Sequence, residues 1–240
     1  MAALAEVADP ADAVHLQRFF KTGPGEYGEG DVFVGVRVPQ TRAVVKRHSD
    51  LPLPEVEALL DSDVHEHRLA GLLILDTQFE RAGKPRTADP TLRVRIVDAY
   101  LAALRRGRVN NWDLVDASAP YLLGEWLLER SARNEHSGLL DDLAAGATLW
   151  ERRVALLATF AFIKAGDPAP TLTLAQRLLD DRADLIQKAL GWMLREVGKR
   201  VDVDVLRVFL DAHAAAMGRT ALSYATEHLN PAERAAFRAR

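Results

Sequence analysis

The sequence contains no cysteine, and this absence removes several classes of protein from consideration. Without thiols the chain can form neither a disulfide framework nor a thiolate metal site, which fits a reducing compartment. No apolar run approaches the roughly 18 residues that a membrane-spanning helix needs. The N-terminal stretch also lacks the basic start and the continuous apolar segment of a signal peptide. We therefore expect a cytoplasmic protein.

Common catalytic and metal-binding motifs are missing as well. The sequence has no glycine-rich phosphate loop and no G-x-S-x-G nucleophile motif. Its most conspicuous histidines, His65 and His67 of the HEH stretch, are two residues apart, so on a helix they point away from each other. We expect no metal, no cofactor and no nucleophilic triad.

Positive charge is not in excess, because the formal net charge of the 240 residues is −3. Domains that bind nucleic acids are usually basic, so this value argues weakly against such binding. A phosphate backbone is attracted by the local electrostatic potential of the surface that it contacts, however. The placement of arginine and lysine therefore matters more than their total. The content of 48% hydrophobic and 27% charged residues is that of an ordinary soluble globular protein.

Strand signal is scarce, and nearly the whole chain follows a helical period. The β-branched stretch 32–39 ends at a proline and is expected to lead into a helix at 40–48 rather than into a sheet. The other helices are predicted in pairs, at 54–61 with 65–82, 90–106 with 110–129, 137–145 with 149–165, 170–181 with 183–200, and 202–216 with 219–228. A spacing of about 35 to 48 residues is typical of HEAT-type repeats. We predict an all-α solenoid of antiparallel helix pairs, in which residues 1–240 form one domain.

One polar position recurs at the start of the second helix of each pair. Equivalent positions of a solenoid lie in a row along its inner surface. Here the row consists of Arg68, Asp116, Arg153, Lys188 and Arg219. It predicts a concave, basic groove with a single acid near its middle.

The helix at 183–200 has one basic face and one apolar face. The basic face carries Lys188, Trp192, Arg195 and Lys199. The apolar face, which we expect in the core, carries Ile186, Ala189, Leu190, Met193 and Val197. A basic face interrupted by one indole suits contact with a phosphate backbone, and a solvated charged face with an exposed tryptophan is the alternative.

The stretch NNWDLVD at 110–116 begins a predicted helix. Asn110 or Asn111 is suited to cap it, and Asp113 in its first turn complements the helix dipole. These three residues need no function beyond starting the helix.

Trp112 and Asp116 lie one turn apart on the same face of that helix. Asp116 is a turn and a half inside, where the dipole no longer favours a carboxylate. Neither residue belongs to the core stripe, to which we assign Leu114 and Tyr121. Of the other tryptophans, Trp126 is predicted to lie in the core.

Four stretches in this order, FVGVRVPQTR, WDLVD, LWERRVALL and IQKALGWMLREVGK, make the chain similar to a known family. From about residue 14 to 229 it resembles the AlkD-like alkylpurine DNA glycosylases, the DNA alkylation repair family built from HEAT-like repeats. The resemblance implies excision of cationic N3- or N7-alkylated purines, such as 3-methyladenine and 7-methylguanine, from duplex DNA. We expect a bacterial, nucleoid-associated protein, and a groove protein of this size can act as a monomer.

The resemblance implies roles for individual residues. Asp116 corresponds to the catalytic carboxylate and Trp112 to one aromatic wall of the site. Arg153 and Trp192 correspond to further substrate contacts, and Tyr27 to an N-terminal aromatic residue that borders the site. The residues expected near the DNA backbone, from the resemblance and from the two basic patterns above, are Lys188, Arg195, Lys199, Arg68 and Arg219.

Substrate preference and activity are open at this point. Asn111 stands where some relatives carry a second aromatic residue, which leaves the preferred lesion undetermined. The family is understood to leave the lesion stacked, and a shallow site accepts bulky adducts, as in relatives that give producers of DNA-alkylating natural products self-resistance. The alternatives are a non-catalytic DNA-binding relative and a protein-interaction scaffold, of which the latter predicts an apolar or mixed inner row.

Overall fold

The computed structural model describes residues 1–133, 135 and 138–240. Within these ranges no β-strand forms, and the only pairing of extended backbone is an isolated parallel bridge between Val32 and Val64. The chain is 65% helical, so the prediction of an all-α fold is confirmed. None of the described helices has both the length and the apolar character required to cross a membrane.

The chain divides into two compact units, and the first comprises Met1–Ser118. The helices of this N-terminal unit are α1 Ala2–Ala5, α2 Pro10–Gln17, α3 Val38–Arg47, α4 Leu53–Leu60, α5 His65–Gly83, α6 Pro90–Arg105 and α7 Trp112–Asp116. The long helix α5 is central, because α3, α4, α6 and α7 all pack against it. Its apolar residues Leu72, Ile74 and Leu75 are buried and form much of the core.

The C-terminal unit comprises Ala119–Arg240. It contains a π-helical turn, Pro120–Gly124, followed by α8 Glu125–Ser131, α9 Leu139–Ala144, α10 Leu149–Ala158, α11 Phe160–Lys164, α12 Ala169–Arg177, α13 Asp184–Arg200, α14 Val203–His213, α15 Arg219–Ala225 and α16 Pro231–Arg238. Helix α13 is central here, and α10, α11, α12, α14 and α15 pack against it. Its predicted core face is confirmed, since all five of its apolar residues are fully buried.

The predicted continuous helix at 110–129 is wrong. Helix α7 ends at Asp116, and the chain passes through a turn into the π-helical segment that begins at Pro120. A proline has no N–H and its ring clashes with the carbonyl four residues earlier, so the α-helix cannot continue through it. The hydroxyl of Ser118 also donates to the carbonyl of Leu114 at 2.6 Å, which competes with the backbone ladder.

The bounds of other predicted helices also differ from the observed ones. The helix predicted at 149–165 is divided at Thr159, whose buried hydroxyl donates to the carbonyl of Leu156 at 2.7 Å. The helix predicted at 137–145 is observed as α9. Its predicted first residue, Ser137, lies outside the described residues, as does part of the predicted break at 134–138.

The close approach of α13 to α15 requires glycine at position 191. A β-carbon there would lie 2.4 Å from the carbonyl oxygen of Ala221 and 2.6 Å from the β-carbon of Tyr224. We therefore expect Gly191→Ala to lower the free energy of unfolding by about 1–3 kcal/mol, the usual cost of overpacking. Urea denaturation measures this change in the free energy of unfolding. Gly107→Ala is unsuitable as a control, because the φ of Gly107 is 73° and a side chain there would add backbone strain. Ala212→Gly, at an exposed position of α14, gives the scale of a simple helix-propensity change, about 1 kcal/mol. An unchanged or increased stability of Gly191→Ala would contradict the prediction.

Candidate active site

Helix α7 carries both residues of the predicted site at its two ends. Asn111 is the N-cap, and its side-chain oxygen accepts a hydrogen bond from the backbone N–H of Trp112 at 2.9 Å. Trp112 is the first helical residue and Asp116 the last, and both side chains are half-buried. The prediction of the helix start is confirmed, with Asn111 as the cap. The five-residue helix presents an indole and a carboxylate one turn apart.

The start of α7 is held by a buried carboxylate from a distant segment, Asp31. The side chain of Asp31 is 3% exposed and accepts a hydrogen bond from the Arg68 guanidinium at 2.6 Å. The side-chain amides of Asn110 and Asn111 donate to the same carboxylate at 3.1 and 3.0 Å. The two asparagines therefore do more than cap the helix, because they attach its first turn to the segment that contains Asp31.

A second buried link runs through His65, the first residue of α5. Its Nδ1 lies 3.2 Å from Asp31 and its Nε2 lies 2.8 Å from Asp113, while the imidazole itself is 3% exposed. A neutral imidazole donates through one nitrogen only, whereas the imidazolium donates to both carboxylates. Burial lowers the pKa of His65, but the hydrogen bonds and negative charges of Asp113 and Asp31 raise it to about 9. His65 is thus a cation at neutral pH.

The pKa of Asp31 is shifted in the opposite direction. Burial raises it, but the hydrogen bond with His65, the positive charge of Arg68 and the amide of Asn111 outweigh burial and hold the pKa of this carboxyl below its usual value. Asp31 is therefore an anion at neutral pH.

Four aromatic rings extend from this network to the candidate site. Phe33 stacks on His65 with ring centroids 4.7 Å apart, and Phe20 contacts the same imidazole at 5.0 Å. Phe20 also stacks on Phe33 at 4.9 Å and on Trp112 at 5.4 Å, with interplanar angles of 24° and 22°. Trp112 is therefore the last member of a stack that leads from a buried cation toward the surface.

The backbone beside this stack is fixed by Glu66. Its buried carboxylate accepts hydrogen bonds from the N–H groups of Val34, Gly35 and Val36, at 3.1, 2.8 and 3.2 Å. Gly35 has a φ of 82°, and a β-carbon there would lie 1.9 Å from the carbonyl of Asp9. Only glycine fits this position. Gly35 and the carboxylate of Glu66 together therefore hold the backbone of residues 34–36 in this conformation.

This network is absent from the predictions made from the sequence. There the HEH stretch is weighed only as a metal site, and Asn110, Asn111 and Asp113 only as an ordinary helix start. No group of His, Asp or Glu within the described ranges is arranged to hold a metal ion. The available signal was the run HEHR directly before a long apolar stretch, since charged residues that begin a buried helix need buried partners.

Asp116 lies near a second buried polar group, the phenol of Tyr100. This phenol is fully buried and lies 3.4 Å from the hydroxyl oxygen of Ser118. Burial raises the pKa of Tyr100 well above its usual value, and the negative charge of Asp116 adds to the rise. Tyr100 therefore remains a neutral hydroxyl at neutral pH.

The predicted basic face of α13 is present within the C-terminal unit. Trp192 is half-buried, Lys199 is exposed, and the ammonium group of Lys188 pairs with Asp184 at 2.7 Å. The opposite face fills the core, so these side chains can be reached from solvent. The assignment of this face to DNA stays a prediction.

Part of the charge on this face is compensated by acidic residues. Arg195 pairs with Glu227 and lies 3.3 Å from Glu196. Glu196 is 6% exposed in its side chain and also accepts from Arg200 at 2.6 Å. A phosphate would have to compete with these carboxylates, and this competition lowers the net attraction that the sequence pattern indicates.

The predicted inner row of polar residues is only partly at the surface. Arg68 is 2% exposed and also donates to the carbonyl oxygens of Ser62 and Asp63 at 2.9 and 3.0 Å. In this conformation it cannot contact a DNA backbone, and its structural role is to compensate the charge of Asp31. The repeat spacing could not reveal that Arg68 is buried against the segment that contains Asp31.

Arg153 resembles Arg68, since it is 4% exposed and donates to the carbonyl oxygen of Leu185 at 2.6 Å, so in this conformation its guanidinium is not available to a substrate. Arg219 is exposed and donates to the carbonyl oxygen of Arg238 at 2.8 Å. Tyr27 is half-buried in the glycine-containing segment 23–30 of the N-terminal unit.

Two aromatic residues predicted in the core are not there. Tyr121 is 43% exposed, and Trp126 is half-buried with the guanidinium of Arg130 4.6 Å from its ring centroid. Both come after the break at Pro120, which changes the helical phase on which the prediction relied.

The comparisons with known proteins agree with the motifs. The sequence profile of the DNA alkylation repair enzyme family matches residues 1–229. No curated protein is similar enough in sequence to count as a match. A solved structure described as a "Predicted DNA alkylation repair enzyme from Enterococcus faecalis" has a similar fold, with a TM-score of 0.72 and 18% sequence identity over 93% of this chain and 97% of that chain. The profile match spans nearly the whole sequence, and the chain therefore belongs to the family of DNA alkylation repair enzymes.

Proposed function

We propose that this protein is a monofunctional DNA glycosylase that hydrolyses the N-glycosidic bond of cationic N3- or N7-alkylated purines in duplex DNA. The observation that carries the proposal is the pairing of Asp116 with Trp112 on α7. A half-buried carboxylate lies one turn from an indole, on a helix whose start is anchored by buried charges. We assign Asp116 as the catalytic carboxylate and Trp112 as an aromatic wall.

The chemistry needs little more than these groups. Alkylation at N3 or N7 makes the purine cationic, so the C1′–N bond breaks with its electron pair on the base, which leaves neutral. The sugar then carries positive charge, water adds at C1′, and the proton lost by that water passes to the carboxylate or to solvent. The products are the free base and an abasic site, and no metal or cofactor takes part.

The carboxylate supplies enough stabilisation for this reaction. A unit negative charge about 4 Å from the developing sugar cation attracts it by about 4 kcal/mol at an effective dielectric constant near 20. If this attraction is realised mainly in the transition state, it accelerates the reaction roughly a thousandfold. The indole adds about 0.5–2 kcal/mol through cation–π attraction to the cationic nucleotide.

The C-terminal unit supplies the remaining contacts in this proposal. Trp192 contacts the substrate, and Lys188, Arg195, Lys199 and Arg219 contact the DNA backbone. We further propose that residues 1–240 act as one HEAT-like domain and as a monomer in the bacterial cytoplasm. A shallow site accepts bulky adducts, and the biological role in this proposal is either general base excision repair or self-resistance.

The proposal is tested by incubating the protein with duplex DNA that contains 7-methylguanine and 3-methyladenine. We expect release of the free bases under single-turnover conditions, and binding to DNA that weakens steeply between about 50 and 200 mM salt. If neither of these bases nor a bulky N3-adenine adduct is released while binding keeps its salt dependence, the chain is a non-catalytic relative. If DNA does not bind at all, it is a protein-interaction scaffold instead.

A further inference from the structure

The imidazole of His65 joins two segments that are far apart in the sequence. Asp31 is 34 residues before His65, and Asp113 is 48 residues after it. Asp31 belongs to the segment that supplies Phe20 and Phe33 to the aromatic stack, whereas Asp113 is the second residue of α7. The histidine therefore lies where the segment that carries Phe20 and Phe33 meets the helix that carries Trp112 and Asp116.

The hydrogen bond from His65 to Asp113 holds the helix that carries the residues assigned to the reaction. Asp113 comes directly after Trp112, and its other carboxylate oxygen accepts the N–H of Leu114 at 2.8 Å, so it also caps the helix. A hydrogen bond from His65 to Asp113 fixes the direction in which α7 leaves its first turn. Trp112 and Asp116 lie at the two ends of that short helix. A change at His65 therefore alters the positions of both Trp112 and Asp116.

We propose that His65 is a positioning residue for excision, because its imidazolium joins Asp31 to Asp113 and thereby holds Trp112 and Asp116 in their reactive arrangement. The side chain is 3% exposed, so it acts through these residues and does not touch the lesion. This inference rests on the proposed glycosylase function. It adds a requirement that the function by itself does not include, namely a proton on a buried histidine.

The charged groups around the imidazole give the direction of the pH effect. Asp31 faces it from the N-terminal segment and Asp113 from α7, and Arg68 of α5 lies on the far side of Asp31. Glu66, the next residue, directs its carboxylate to the backbone of 34–36 instead. The pKa of His65 is raised to about 9, so the link is complete at neutral pH and is lost as the pH rises through that value. Excision should decline over the same range.

The variant His65→Gln tests the positioning role, with His67→Gln as its matched control. His67 is on the same turn of α5 and bonds to Ser62 at 2.9 Å, and burial lowers its pKa. We expect His65→Gln to reduce the single-turnover rate at pH 7 about 10- to 100-fold, since a displacement near 1 Å costs about that much. The affinity for DNA should change less than about threefold, because the basic surface is untouched.

The pH profile separates positioning from a general loss of structure. In the wild type and in His67→Gln, we expect the rate, corrected for spontaneous depurination, to fall between pH 8 and about 9.5. In His65→Gln this decline should be absent. An unchanged rate in His65→Gln, or the same alkaline decline in both glutamine variants, would overturn the inference.

Nuclear magnetic resonance keeps the inference testable if His65→Gln does not fold. In wild-type protein with ¹⁵N-labelled histidine, both ring nitrogens of His65 should remain protonated at pH 7.5, where an ordinary histidine is neutral. The indole N–H signal of Trp112, assigned with Trp112→Phe, should shift as His65 loses its proton. The inference would be overturned if His65 is neutral at pH 7.5, or if the Trp112 signal does not shift while His65 loses its proton. These signals need no catalysis, so they distinguish its failure from that of the glycosylase proposal.

Discussion

Asp116→Asn should release 7-methylguanine and 3-methyladenine from duplex DNA at least about a hundredfold more slowly than the wild type. Asparagine has nearly the same shape as aspartate but no charge, so it removes most of the roughly 4 kcal/mol attraction to the sugar cation. About 2.7 kcal/mol lost from the transition state is a factor of about a hundred in rate. The measurement is a single-turnover time course with quantified free base, because product release is then excluded from the rate.

Asp98→Asn is a suitable control for the charge change. Asp98 is an exposed residue of α6 in the same unit, and no role in the site is assigned to it. We expect its rate to stay within about twofold of the wild type, as for surface substitutions generally. Equal rates for Asp116→Asn and Asp98→Asn would remove Asp116 from the mechanism. The affinity of Asp116→Asn for undamaged DNA should not fall, because the variant carries one negative charge less.

Asp31→Ala should lower the free energy of unfolding by about 3–5 kcal/mol, the cost of removing one partner from a buried ion pair. The guanidinium of Arg68 is 2% exposed in its side chain and would lose the carboxylate that compensates its charge. Asn110 and Asn111 would each lose an acceptor for a side-chain amide. His65 would keep Asp113, and its proton would be held less firmly. Urea denaturation at pH 7, analysed by linear extrapolation, measures this loss.

Asp63→Ala gives the matched surface comparison. The carboxylate of Asp63 is 80% exposed and lies 3.2 Å from Arg108. An exposed pair of this kind contributes at most about 1 kcal/mol, so the variant should be nearly as stable as the wild type. A similar small loss in Asp31→Ala would contradict the view that its four side-chain contacts anchor the start of α7.

Several features of the site could be predicted because they depend on local sequence. Trp112 and Asp116 share a face since they are four residues apart, and Asn111 caps the helix because its oxygen reaches the next N–H. The apolar side of α13 is buried as its spacing predicted. These relations involve residues within one or two helical turns.

The wrong predictions arise where one residue or one loop changes the surroundings of others. Pro120 ends the helical phase, and the predictions for Tyr121 and Trp126 extended that phase across it. Arg68 was placed on an exposed inner surface because its spacing matches that of the other row members. The structure buries it beneath the segment that contains Asp31, which no helical repeat includes.

The sequence by itself determined the all-helical fold, the family and the pair of residues on α7, because helical periodicity and short motifs depend only on residues that are close together in the sequence. Only the tertiary structure decided that His65, Asp31 and Asp113 meet, and that Phe20 and Phe33 extend the stack to Trp112. Contacts across 34 and 48 residues depend on how loops and helices pack around one core. A buried charge needs a partner, but its own position in the chain does not identify which residue that partner will be.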